Sequence, residues 1–187
     1  MAFLLTVHRW RAIMVTNINR NLEVKNMIKE IDRSDIPNCV SVIKDSFMTV
    51  ADEFGFTSEN APRFTAFAIS DDRLYYQLDN EHRIMVAYYL DNKVVVGYYS
   101  LLLQEDNQCE LNNLSVLPDY RHNNIGTALL DDAIIRAKKM GCVKINIGIV
   151  EENKILRKWY EDKGFTHIGT RKFDFFPFTC GYMVKTL

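Results

Sequence analysis

From Met27 onward the hydrophobic and polar positions fall into runs with clear periods. MIKEI alternates apolar and polar residues and predicts a short strand. Ser34 or Asp35 then caps a helix through IPNCVSVIKDSFMTVADEF, where Pro37 suits the first turn and Gly55 the stop. TSENAPRFTAFAIS predicts a second short helix, led by Thr57 or Ser58 with Pro62 near its start, and DDRLYYQLDN reads as loop or a helical turn. Three strands follow: RIMVAYYL and VVVGYYSLLL around the polar turn Asp91-Asn92-Lys93, then CELNNLSVL. A helix is predicted from about Asn124 to Met140, apolar at Ile125, Leu129, Ala133 and Ala137 and stopped by Gly141. VKINIGIV is a strand and NKILRKWYEDK a helix ended by Gly164. FTHIGTRKF and CGYMVKTL are two closing strands.

The order β-α-α-β-β-β-α-β-α-β-β joins antiparallel hairpins to one β-α-β unit. It predicts a single α/β (α+β) domain over residues 27–187, with a mixed, mostly antiparallel central sheet flanked by helices. Residues 1–26 read differently. MAFLLTV is apolar, but HRWR interrupts it before AIMV, and the charge-first order of a secretory signal is missing. A loosely ordered extension is expected there.

Composition alters this picture in a few places. With 48% hydrophobic and 12% aromatic residues in 187, there is bulk for a core, and wholesale disorder is excluded. Basic residues number 23 and acidic residues 24, so no general field draws nucleic acid or an anionic membrane. Cys39, Cys109, Cys142 and Cys180 form no C-x-x-C pair, and the four histidines show no H-E-x-x-H spacing. No metal site is expected, and the thiols read as buried groups in a reducing compartment. No run approaches the roughly 18 apolar residues that span a bilayer. The expectation is a cytoplasmic protein with neither membrane nor nucleic-acid partners.

The chemistry concentrates in LSVLPDYRHNNIGTALL, Leu114 to Leu130, where a strand gives way to a loop and then to a helix with small residues in its first turn. The first turn of a helix has N–H groups without intrahelical partners, and these suit a phosphate. R-H-N-N-I-G, Arg121 to Gly126, resembles the Q/R-x-x-G-x-G/A pyrophosphate loop of GCN5-related N-acetyltransferases, and V-L-P-D-Y-R before it resembles the approach to that loop. Downstream, N-K-I-L-R-K-W-Y-E-D-K-G-F, Asn153 to Phe165, is similar to the family's N-x₆-Y-x₃-G-F segment. The resemblance covers most of Met27 to Leu187. Two motifs in order, each on its expected element, are far more specific than a lone glycine loop. One position departs: Asn124 stands where the first motif glycine is usual, and asparagine is the non-glycine residue that best tolerates a left-handed backbone.

The resemblance implies an enzyme that moves the acetyl group of acetyl-CoA to a primary amine by direct attack through a tetrahedral intermediate, without a metal. It implies that the pyrophosphate lies on the amides of Arg121, His122, Asn123, Asn124, Ile125, Gly126 and Thr127. It implies that the pantetheine arm runs along Leu114, Ser115 and Val116 and meets Asn153. Tyr160 takes the position of the acid that protonates the CoA thiolate. Glu110 takes that of a base acting directly or through water. Without the motif, Tyr160 reads as a core aromatic beside Trp159, and Glu110 as a solvated strand-end carboxylate. Three functions stay open: a small-molecule N-acetyltransferase, a protein or peptide N-terminal acetyltransferase, and a CoA-binding module without catalysis. The partners are then acetyl-CoA and an amine acceptor, with a homodimer left open. For the acceptor, the aromatics of Ser46–Phe64 and Phe173–Phe178, with Asp52, Glu53 and Glu59, are expected either to wall a pocket for an amine or to form core.

Overall fold

The computed structural model describes residues 26–187, so the extension expected at residues 1–26 lies, except for Asn26, outside the described residues. One seven-stranded sheet carries the fold, in the order β1-β2-β3-β4-β5-β7-β6. Strands β1 (Met27–Glu30), β2 (Ile84–Leu90), β3 (Val94–Gln104) and β4 (Gln108–Val116) pair antiparallel in succession. Strand β5 (Lys144–Val150) lies parallel to β4. Strands β7 (Thr179–Thr186) and β6 (Thr166–Lys172) complete the sheet antiparallel. The mixed, mostly antiparallel sheet flanked by helices is the architecture the element order predicts. Asp91 and Asn92 both adopt left-handed backbone, φ 49° and 59°, which lets a tight polar turn join β2 to β3.

Helices cover both faces. On one, α1 (Ile36–Phe54) and α3 (Asp71–Asp79) bury Ile36, Val40, Ile43 and Leu74 against Met85, Ala87 and Tyr98. On the other, α4 (Ile125–Lys139) and α5 (Lys154–Asp162) bury Leu129, Leu130, Ala133 and Tyr160 against Val86, Val96, Leu101 and Ile145. Full burial of one such leucine contributes about 1.5–3 kcal/mol, which is why α4 keeps its apolar stripe at three- and four-residue spacing. Gly97 permits this packing. A Cβ added there would lie 2.7 Å from Leu129 Cδ1 and 3.2 Å from the Ser115 carbonyl.

Two segments depart from expectation. Between Thr57 and Arg63 the chain makes turns, and helix is confined to α2 (Thr65–Ala68). The Asn60 carboxamide oxygen accepts from the Thr57 N–H, and the Thr57 hydroxyl accepts from the N–H groups of Glu59 and Asn60. These local bonds hold the backbone out of helix. Residues 71–80, read as loop or a helical turn, form the full helix α3 over Asp71–Asp79, with Ser70 accepting from the Arg73 N–H and Asp71 and Asp72 in the first turn. The phenylalanines expected around the acceptor form mainly core: Phe56, Phe64 and Phe178 are buried on one another and against Val150.

The sheet is interrupted at its centre. Pairing between β4 and β5 stops at Glu110–Asn146, although both strands continue. Beyond that point the β3–β4 register passes from Ser100↔Asn112 to Tyr98↔Ser115, placing one extra residue in β4. Asn113, φ 54°, sits in this bulge. A bulge bends its strand and increases the local twist, so β4 turns away from β5 and leaves a wedge between them.

Candidate active site

The open end of the wedge meets the N-terminus of α4. Leu117 leads into a 3-10 turn at Pro118–Tyr120, and the chain enters α4 through Asn124 in left-handed conformation, φ 61° and ψ 6°. Asparagine in place of the usual glycine therefore preserves the loop's bend. The Asn124 side chain does not cap the helix, and every backbone N–H from His122 to Thr127 lacks a protein acceptor among the described residues. Successive free amides at a helix N-terminus form an anion cradle. Gly126 leaves room for the anion: an added Cβ would meet only Val116 Cγ2 at 3.8 Å and Trp159 Cζ2 at 3.9 Å, ordinary contacts. No protein atom requires the glycine.

Arg121 supports this loop from behind. Its N–H donates to the Pro118 carbonyl, so that amide is committed. Its guanidinium donates to the carbonyls of Val116 (3.2 Å) and Ser46 (3.0 Å) and to the Thr49 hydroxyl (3.1 Å). Arg121 thus ties the loop to α1, and burial draws its guanidinium below the usual arginine range. Asn123 donates to the Tyr120 and Arg121 carbonyls, and His122 is exposed with φ 63°. Leu114 and Val116 pack partly into the core, whereas Ser115 is buried with its hydroxyl unpartnered.

Beyond β5, Asn153 opens α5 and Tyr160 lies within it. The Asn153 side-chain oxygen accepts from the Leu156 N–H at 2.9 Å, which starts α5 and leaves the amide nitrogen as the free end. Tyr160 is 6% exposed, edge-on to Trp159 and Phe165, and its hydroxyl bonds no protein group among the described residues. Burial pushes its phenol well above the ordinary tyrosine value, so it stays protonated. Burial also pushes the Cys39 and Cys109 thiols up to about 12, which removes both as nucleophiles near neutral pH.

On the α1–α3 side of β4 lies a cavity of about 410 Å³, lined by Arg63, Thr65, Ala68, Ile69, Arg73, Gln77, Arg83, Asn112 and Asn113. Glu110 stands at its rim, held by the Gln104 amide at 2.8 Å. With its amide oriented as its neighbours require, Asn112 donates to Glu110 Oε1 and accepts from Arg83 Nη1, both at 3.1 Å. Glu81 braces the far side, accepting from Arg73 at 2.9 Å and Arg83 at 2.5 Å. Burial alone would raise the Glu81 carboxyl, but Arg83 and Arg73 outweigh it and hold it below the usual range.

A family model, the acetyltransferase (GNAT) family, matches residues 51–165, more than half of the chain. The chain belongs to this family. An uncharacterized N-acetyltransferase of Mycobacterium tuberculosis is 27% identical over 115 residues, 62% of this chain and 73% of that protein. Among solved structures, the PaiA N-acetyltransferase from Thermoplasma acidophilum, in complex with coenzyme A, superposes with a TM-score of 0.72 at 19% identity. That match covers 87% of this chain and 99% of the other. The ribosomal-protein-S18-alanine N-acetyltransferase from Escherichia coli gives a TM-score of 0.68 at 17% identity, covering 87% and 94%. These likenesses establish the GNAT fold.

Within this GNAT domain Trp159 of the downstream motif lies beside Gly126 of the loop, and Glu110 bonds Asn112 of the arginine-lined cavity. The cavity itself was not visible in the sequence. Arg63, Arg73 and Arg83 come from a turn, a helix and the approach to a strand, and no motif joins them. The only available signal was Gln77 on the otherwise apolar inner side of α3, beside Leu74. The acids expected around the acceptor, Asp52, Glu53 and Glu59, do not line this cavity.

Proposed function

We propose that this GNAT enzyme transfers the acetyl group of acetyl-CoA to the primary amine of a small molecule. The observation that carries the reading is the junction of two features: a wedge between β4 and β5 with unpaired strand edges, and a run of free amides at the N-terminus of α4. A diphosphate fits the amides from His122 to Thr127, and an extended arm bearing amide groups fits the backbone edge of Leu114–Val116 that β5 leaves unpaired. The acetyl thioester, when bound, supplies the electrophilic carbonyl and a thiolate leaving group.

The chain's own groups have complementary tasks. Free backbone N–H groups near the bulge polarise a carbonyl placed there. Tyr160, kept protonated by burial and free of protein partners, donates its proton to a departing thiolate. An alkylammonium with a pKa near 10.4 must lose a proton before it attacks. Glu110, fixed by Gln104 and Asn112, accepts that proton directly or through water. Asn153, its oxygen committed to the Leu156 N–H, has its amide nitrogen free to donate to the arm. The arginine-lined cavity is open to solvent and, at about 410 Å³, of a size to take a small acceptor.

Calorimetry with coenzyme A, followed by thiol release across a panel of amines, tests this reading. Tyr160→Phe is expected to lower kcat by about 10²–10⁴-fold with little change in CoA affinity. The absence of any heat with millimolar coenzyme A would overturn the proposal. Unchanged turnover in Tyr160→Phe would remove the acid assignment.

A further inference from the structure

The cavity beside Glu110 is unusual in its charge. Its lining holds three arginines and no acid, and Glu81 is the one carboxylate bonded to any of them. Three guanidiniums against one carboxylate leave an excess of two positive charges before Glu110 at the rim is counted. Arg83 is only 9% exposed, so water screens it poorly. Arg63 lies over the Phe175 ring, 4.6 Å from its centroid, with no carboxylate partner among the described residues. Arg63 and Arg73 are exposed and screened by water, and Glu81 pairs with Arg83, so the cluster is tolerated as it stands while its excess positive charge still attracts an anion.

A second observation points to an occupant. Gln77 is 4% exposed and lines the cavity, and its side-chain oxygen is sealed from solvent without a donor. Ser100 Oγ, on the strand position paired with Asn112, is likewise buried, with the Tyr98 hydroxyl beside it. Cross-strand partners share a face, so Ser100 lies on the cavity side of the sheet. Buried polar atoms are nearly always satisfied, and the Gln77 oxygen, an acceptor, is satisfied by a donor: a water carried in with a ligand, or the ligand's own ammonium.

Resting on the acetyl-transfer reading, we infer that the acceptor is a small primary amine that also carries a compact anionic group, of the amino-acid type. The anion pairs with the guanidiniums of Arg63, Arg73 and Arg83, whose planar forks match two oxygens at once. The amine points the other way, toward Asn112, Asn113 and Glu110, where β4 leaves β5 and the thioester arrives. Recognition and reaction therefore adjoin within one cavity, Arg83 and Asn112 meeting between them, and the anion fixes which nitrogen is presented.

The test compares matched amines: the twenty L-amino acids, their aminoalkylphosphonate analogues and their methyl esters, each with acetyl-CoA. The carboxylates or the phosphonates are expected to exceed the neutral esters in kcat/KM by about 10- to 100-fold, the size of one or two lost charge-assisted bonds. The arm that prevails tells carboxylate from phosphonate. Arg63→Gln and Arg73→Gln are expected to raise KM for the anionic amine by a similar factor, leave KM for acetyl-CoA unchanged and shrink the advantage over the ester. Equal or better turnover of the esters overturns the inference. So does the absence of chemical-shift changes at Arg63, Gln77 and Asn112 when the favoured amino acid is titrated. Such changes without thiol release uphold the anion site and count against acetyl transfer instead.

Discussion

Gly97 on β3 and Gly126 at the start of α4 meet opposite physical demands, and replacing each with alanine separates packing from ligand binding. At Gly97 the new methyl would lie 2.7 Å from Leu129 Cδ1, 3.2 Å from the Ser115 carbonyl and 3.4 Å from Ile125 Cγ2. Leu129 is fully buried and cannot move aside, so Gly97→Ala should destabilise the fold by about 1–3 kcal/mol. At Gly126 the same methyl makes only ordinary contacts at 3.8 and 3.9 Å, in a position already helical. Alanine there forgoes the entropy glycine loses in a helix, so stability should hold or rise by up to about 1 kcal/mol. That corresponds to a midpoint higher by as much as about 2–4 °C in a chain of this size. The methyl would stand over the free amides, blocking one or two charge-assisted bonds, so coenzyme A affinity should fall by about 10- to 100-fold. Thermal unfolding and calorimetry on the two variants read both quantities. A Gly126→Ala protein that is as stable as the parent and binds coenzyme A equally well would refute the ligand space inferred at that glycine.

Other expectations follow from local geometry. Asn124→Ala should cost about 1–2 kcal/mol, because alanine resists a left-handed backbone, whereas Asn124→Gly should be nearly neutral; urea unfolding distinguishes them. Burial would raise the Glu151 carboxyl, but Lys154, His167 and Arg157 outweigh it and hold its folded pKa below the unfolded one. Its contribution to stability is therefore present above roughly pH 4.3 and lost as acidity carries the pH down through the folded value. Glu151→Gln should weaken the fold at pH 7 and flatten the acid limb of the stability profile. A limb identical to the parent's would remove Glu151 as its source.

The legible parts of this molecule were those in which one local rule governs. The stripe of Ile125, Leu129, Ala133 and Ala137 declares α4, and Gly141, φ 80°, ends it as a left-handed residue should. Asp91-Asn92 announces a tight turn for the same reason. The amide loop was legible because backbone bends and small residues leave a mark in sequence. Helix α3 was obscure because its buried side includes Gln77, which breaks the apolar period that identifies amphipathic helices. The turns at Thr57–Arg63 were mistaken for a helix start because a threonine that closes a turn resembles one that caps a helix. The arginine-lined cavity was invisible because tertiary folding alone gathers its three charges, and the near-neutral total of the chain conceals them.

The short seam between β4 and β5 has a mechanical consequence. Three residue pairs, Gln108–Lys144 to Glu110–Asn146, are all the ladder that joins a four-stranded half of the sheet to a three-stranded half. A guest laid along the gap with amides of its own would act as a clasp, completing the row of bonds that the two halves cannot make with each other. Resistance to heat and to proteolysis should then rise with the concentration of that guest.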